Sequence, residues 1–155
     1  MKKLTIILLM VDLVCVGIIC SVVAYNHENL SIYLKGAEGY FNEVSDSYIG
    51  DYSVSSIADK CSRSDFKSQC VFWATPLIFD EDRGLDRRHL IPPSEILSDG
   101  RGVCRDISAY RMAILKSLNV TAEFFYEPNH IYVATWENGK TWRIDNDYMV
   151  EIHNR

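Results

Sequence analysis

The chain has 155 residues, 48% of them hydrophobic and 12% aromatic, enough for one folded domain and too apolar for a disordered one. Its formal charge of −5 is accompanied by scattered lysines and arginines, Arg87–Arg88 apart, so no basic footprint exists and nucleic acid is excluded as a partner class.

From Leu4 to Ala24 the sequence is apolar except for Asp12, and Lys2 and Lys3 precede it. A run of that length spans a bilayer as a helix, with the lysines holding the N-terminus in the cytoplasm and the rest of the chain outside. Cleavage of a signal peptide near Val22-Val23-Ala24 is the rival reading, giving a secreted protein. Asp12 is costly in lipid under the first reading unless protonated or paired. Cys15 and Cys20 read as small apolar residues there. Export would allow Cys61 and Cys70 to pair as a disulfide; two packed free thiols are the alternative. Asn29-Leu30-Ser31 and Asn119-Val120-Thr121 match the short glycosylation acceptor pattern, which often occurs by chance.

Residues 26–60 are polar, carry glycines and tyrosines, and sustain no period, so they read as a linker with short irregular elements. Ser64-Asp65-Phe66-Lys67 predicts the start of a helix to about Phe79, with Phe66, Cys70, Trp73 and Leu77 on one stripe. Residues 80–93 are charged and end in Pro92-Pro93, a loop signal; the arginines from Arg83 to Arg88 read as a solvated face or a rim for acidic substrate. A helical turn at Ser94–Leu97 leads into Gly100-Arg101-Gly102. Val103, Ile107, Tyr110, Ile114, Leu115 and Leu118 then recur at helical spacing, predicting an amphipathic helix over 103–118 buried on that face. Strands are predicted at Ala122–Tyr126, His130–Glu137 and Lys140–Asp145. Asn138-Gly139 joins the last two as a two-residue hairpin turn, because both residues tolerate positive φ.

That turn sets the register. With Glu137 facing Lys140, Asp145 comes opposite Tyr132, and His130 lies diagonal to Asp145 on the same face. Diagonal neighbours are roughly 7–8 Å apart at the backbone, within reach of an imidazole and a carboxylate. A slip of one residue would separate them onto opposite faces. Ile131, Val133, Trp142 and Ile144 make the other, apolar face. Cys104 falls in the first turn of its helix, where unpaired N–H groups and the dipole favour an anion. Gly100 and Gly102 allow a tight turn and leave room beside the sulfur. Cys104, His130 and Asp145 thus form a candidate nucleophile, base and orienting carboxylate. The Cys104 N–H is a candidate oxyanion donor, with Gln69 or Trp73 from the upstream helix as a second. Each also has a bland reading: a structural thiol, a strand histidine, a strand-end cap with Asp147 as stand-in, and a core tryptophan. Asp106 reads as a complement to the helix N-terminus. His27, His89 and His153 stand alone, so no metal site and no cofactor is called for.

Pro92-Pro93-Ser94-Glu95-Ile96-Leu97 followed by Gly100-Arg101-Gly102-Val103-Cys104-Arg105-Asp106 resembles the nucleophile segment of the transglutaminase-like superfamily. His130 opening a strand and Trp142-Arg143-Ile144-Asp145 closing the next resemble that family's His and Asp blocks, so the likeness covers about residues 70–147. It implies an α+β, papain-like core with the cysteine helix packed on a small antiparallel sheet, preceded here by a transmembrane helix. Taken with the apolar run and the polar segment after it, the expected organisation is a signal anchor over residues 1–25, a juxtamembrane linker over 26–60 and a catalytic domain over 61–155. It implies acyl transfer at amide bonds: hydrolysis by a membrane-tethered, extracytoplasmic cysteine peptidase or amidase, acting on a peptide, a protein or a cell-envelope polymer. A transglutaminase passing the acyl group to an amine is the alternative enzyme. A binding module that keeps the fold without turnover is the alternative from another class.

Overall fold

The helix that carries Cys104 is the element around which the others are arranged. In this computed structural model, residues 27–80 and 90–153 are described, so the apolar run at 4–24 and the arginines at 83–88 lie outside them. Among the described residues no helix is long and apolar enough to cross a membrane. The elements are α1 (His27–Tyr48), α2 (Tyr52–Cys61), α3 (Lys67–Ala74), β1 (Ile78–Phe79), α4 (Pro93–Asp99), β2 (Arg101–Gly102), α5 (Cys104–Ser117), β3 (Ala122–Glu127), β4 (His130–Glu137), β5 (Lys140–Ile144) and β6 (Met149–Ile152). The fold is α+β, with a four-stranded antiparallel sheet in the order β3-β4-β5-β6 and a two-stranded parallel pair β1-β2.

The expected amphipathic helix is buried on every side. All residues from Asp106 to Leu115 are buried, because α2, α3, α4 and the sheet all pack on α5. Its C-terminus closes with Asn119 at φ 54, the Asn119 N–H donating to Lys116 O and the Val120 N–H to Leu115 O. That paired arrangement satisfies the last carbonyls of a helix through a left-handed residue, a position asparagine tolerates.

Residues 26–60, expected as linker and irregular segments, contain two helices instead. Helical residues in α1 pass through a break at Gly36 (φ 73, ψ 162), and the chain divides into two units, Met1–Ala37 and Glu38–Arg155. The folded unit therefore begins well before residue 61. Tyr40, Phe41 and Ser45 are buried in the second part of α1, and Ser53, Val54, Ile57, Ala58 and Cys61 in α2. Their period is helical, but serine and alanine supply so many of the buried positions that hydrophobicity alone understates it. Lys116 at the end of α5 binds Asn42 Oδ1 (3.0 Å), Ser45 Oγ (2.9 Å) and Asp46 (2.8 Å).

The helix expected to run to Phe79 stops at Ala74. Pro76 cannot continue it, and the Thr75 hydroxyl donates back to Val71 O at 2.7 Å. Its N-terminus lacks a capping side chain of its own; the Glu137 carboxylate accepts from the N–H groups of Lys67 and Ser68, both at 2.8 Å. Ser68, Val71, Thr75 and Leu77 face inward, so the expected stripe through Trp73 is the wrong one: Trp73 is 70% exposed.

Cys61 and Cys70 are joined by a disulfide between the end of α2 and the middle of α3. A bridge closing so short a loop restrains the unfolded chain by about 2–3 kcal/mol. Reduction, or replacement of both cysteines by serine, should lower the unfolding free energy by that amount in urea titrations; an unchanged midpoint would contradict it.

The β4–β5 hairpin has the register dictated by its turn, with Glu137 facing Lys140 and Val133 facing Ile144. Asn138 and Gly139 take φ of 57° and 72°. β5 ends at Ile144, one residue short of expectation, because Asp145 opens a turn whose N–H donates to Tyr148 O at 2.9 Å. β6 then returns beside β5, a strand with no counterpart in the sequence reading. Its four residues include one exposed and three half-buried side chains, so no alternation marks it.

Candidate active site

The approach to Cys104 is shaped by two glycines. Gly100 adopts φ 66° and closes α4, its N–H donating to Ile96 O at 2.9 Å. Gly102 has a different task from the open space expected: a Cβ there would lie 3.3 Å from Asp106 Cβ and 3.4 Å from Ile107 Cγ1. It allows β2 to lie close against the first turn of α5. The buried Asp106 carboxylate accepts from the Val103 N–H (3.2 Å) and the Ile91 N–H (3.1 Å), tying the loop before α4 to the helix start. Asp106 therefore complements the helix N-terminus, as expected. Cys104, the free cysteine of the described residues, is the first residue of α5 and half-buried.

His130 and Asp145 meet. His130 Nε2 lies 2.8 Å from Asp145 Oδ1, with the imidazole 25% exposed and the carboxylate 3%. The β4–β5 ladder ends at Val133 and Ile144, so the first residues of β4 have no β5 partner and the turn lets Asp145 reach back to His130. Asp145 is well supplied with donors. Oδ1 also accepts from the Asn146 N–H at 2.8 Å, and Oδ2 accepts from Arg143 Nε (2.9 Å) and Nη2 (2.7 Å). Burial pushes the Asp145 carboxyl upward, but the bonds from His130, Asn146, Arg143 and Tyr148 outweigh it and hold the group below its ordinary value.

A depressed carboxyl contributes stability that is complete above its unfolded value and is lost as the pH falls through the folded one. The gap in urea stability between the native chain and Asp145→Asn should therefore be full above about pH 5 and shrink below about pH 4. A gap equal at pH 3 and pH 7 would show that the Asp145 charge carries none of it.

Cys104, Ser108 and Arg111 fall at i, i+4 and i+7, on one stripe of α5. The Ser108 hydroxyl donates to Ile131 O at 3.1 Å, one residue past His130. Arg111, 2% exposed, donates through Nη1 to Asp145 O, through Nη2 to Asn146 O (3.2 Å) and Thr75 O (2.9 Å), and through Nε to Thr75 Oγ1 (3.0 Å). The stripe that begins with the sulfur is thus fastened, one turn on, beside the histidine and, two turns on, behind the aspartate. Burial lowers the Arg111 guanidinium to about 10 against the pull of Asp145 and Asp147, leaving it charged at neutral pH.

The upstream oxyanion candidates, Gln69 and Trp73, both lie on α3. Gln69 is exposed on α3. Trp73 packs edge-on against Phe72 at 5.1 Å and lines an open cleft of about 220 Å³ with Pro76, Leu77, Arg111, Asn146 and Asp147. Asp147 is exposed and takes no part in the contact to His130. His153 lies 3.6 Å from Glu151, and no group of three metal-ligating side chains occurs among the described residues.

Arg111 and Arg143, both bonded to Asp145, are the residues around the candidate site that sequence reasoning missed. Arg111 left a signal, a charged residue within a helix whose neighbours Tyr110 and Met112 are apolar. Arg143 left a weaker one, two residues before Asp145 and hence on the same sheet face. No family model matches the chain, and comparisons with curated proteins and with solved structures return no match.

Proposed function

We propose that the protein is a cysteine hydrolase of peptide or isopeptide bonds, with a papain-like, transglutaminase-like core and Cys104, His130 and Asp145 as its triad. The observation that carries this reading is the Cys104–Ser108–Arg111 stripe, whose second and third members bond to the residues next to His130 and to Asp145 itself. With Nε2 given to Asp145, Nδ1 is the ring nitrogen left for the sulfur.

The chemistry follows. Nδ1 takes the Cys104 proton as Sγ attacks the amide carbonyl. The oxyanion accepts from N–H groups at the start of α5, where the Cys104 N–H is expected to serve. The C–N bond breaks and His130 returns its proton to the leaving amine, leaving an acyl thioester on Cys104. Water, losing a proton to His130, then attacks the thioester and frees the acid and the thiol. Asp145 holds the imidazole in one orientation and stabilises its charged form throughout. No metal or organic cofactor enters these steps.

The disulfide Cys61–Cys70 supports an extracytoplasmic location, since such bridges persist in oxidising compartments. The run at residues 4–24 would then tether the folded unit to the membrane and bring it to envelope peptides. The test is to incubate the full-length chain with envelope peptide material and read cleavage by mass spectrometry. The reading expects new carboxyl ends carrying one oxygen from labelled water, abolished by Cys104→Ala. Cleavage that survives Cys104→Ala would refute it.

A further inference from the structure

We infer that Arg143 is a positioning residue of this site, fixing the plane in which the Asp145 carboxylate presents an oxygen to His130; the inference rests on the triad reading above. The guanidinium gives Nε and Nη2 to Asp145 Oδ2, at 2.9 and 2.7 Å, and Nη1 and Nη2 to the two oxygens of Glu127, at 2.8 and 3.2 Å. Its plane is backed by the Tyr132 ring, 3.7 Å from Cζ to the centroid. Burial works against the charge, yet Glu127 and Asp145 hold Arg143 above the ordinary guanidinium value.

The sheet makes this arrangement specific. Arg143 pairs with Ala134 across β4, Glu127 with His130 across β3, and Phe125 with Tyr132, so Glu127, Tyr132, Arg143 and His130 share one face. A carboxylate free to turn about its Cβ–Cγ bond would carry its oxygens out of line with the imidazole. Here Oδ2 is occupied by the fork, and Oδ1 is left to His130 Nε2 and the Asn146 N–H. Glu127 keeps the fork in register, and Tyr132 removes its freedom to tilt. Lysine would supply the charge but neither the two-pronged contact nor the flat stack, so the two contributions can be separated.

The experiment uses the full-length chain and its Arg143→Met, Arg143→Lys and His130→Ala variants. Two quantities are read: the second-order rate of Cys104 alkylation by iodoacetamide, and the nitrogen-15 shifts of the His130 ring, which report where its proton resides. Arg143→Met should slow alkylation about tenfold, as expected when an orienting contact is lost. It should also replace a single ring state, protonated on Nε2, by averaged shifts. Arg143→Lys should recover part of the rate, and Lys140→Met, which breaks the separate Lys140–Glu151 pair (2.6 Å) on the same hairpin, should change neither quantity. Native ring shifts and a native rate in Arg143→Lys and Arg143→Met would overturn the inference while leaving the triad intact. If Arg143→Met does not fold, native values in Arg143→Lys combined with an altered His130 ring in Lys140→Met would overturn it as well. An alkylation rate indifferent to His130→Ala would instead refute the triad on which the inference rests.

Discussion

His130→Ala should slow alkylation of Cys104 by iodoacetamide about a hundredfold, the low end of what a positioned base contributes to proton transfer. The expectation comes from three placements. The sulfur opens α5, Ser108 one turn later is bonded to Ile131 O, and His130 precedes Ile131 at the open end of β4. Asp145 fixes the ring through Nε2, so under the proposed mechanism its loss removes an oriented base rather than one that must be recruited. Far-ultraviolet circular dichroism would accompany the rates, since His130 is only half-buried and its removal leaves the sheet's apolar face untouched. A rate within a factor of about two of the native chain would place the imidazole outside the reaction.

Arg111→Met should cost about 3–5 kcal/mol of unfolding free energy, the range for removing one member of a buried charged network. The guanidinium is enclosed, and its donors serve Asp145 O, Asn146 O, Thr75 O and Thr75 Oγ1. Methionine fills much of the volume but leaves buried carbonyls without donors, each a cost of about 1–3 kcal/mol. The Arg111 contacts join α3, α5 and the β5–β6 turn, so the variant should also loosen Asp145 and lower the reactivity of Cys104. Urea titration gives the first effect and alkylation the second. A loss below about 1 kcal/mol would mean that water replaces the guanidinium and that the network does not fasten the turn.

Much of this was legible in the sequence where local chemistry and periodicity agreed. Asn138-Gly139 specifies a two-residue turn, and a register fixed there propagates to Val133 and Ile144 without other information. That register puts His130 and Asp145 toward one face, and the turn that Asp145 opens beyond the ladder completes their contact. The helix at Cys104–Ser117 was legible because its apolar residues recur at helical spacing, although its burial on all sides depends on partners that the pattern cannot display.

Other features depend on tertiary context. Ser45, Ser53 and Ala58 are buried in α1 and α2, and their mild hydrophobicity hid two helices. Trp73 turns outward because the shorter helix, stopped before Pro76, packs through Ser68, Val71 and Thr75. β6 pairs with β5 through backbone bonds while its side chains stay partly in solvent, so its sequence carries little of the cause. Spacing puts Arg111 on the Cys104 stripe and Arg143 on the Asp145 face, but the contacts that give them a role come from the fold.

Catalysis by Cys104, His130 and Asp145 requires Cys104 to become acylated, and peptide mapping after brief exposure of the full-length chain to p-nitrophenyl acetate tests this most directly. An acetyl group is expected on Cys104, removable by neutral hydroxylamine as a thioester must be, formed faster than on free cysteine and lost in His130→Ala. Acetylation of Cys104 no faster than of free cysteine, and unchanged by His130→Ala, would contradict that catalysis.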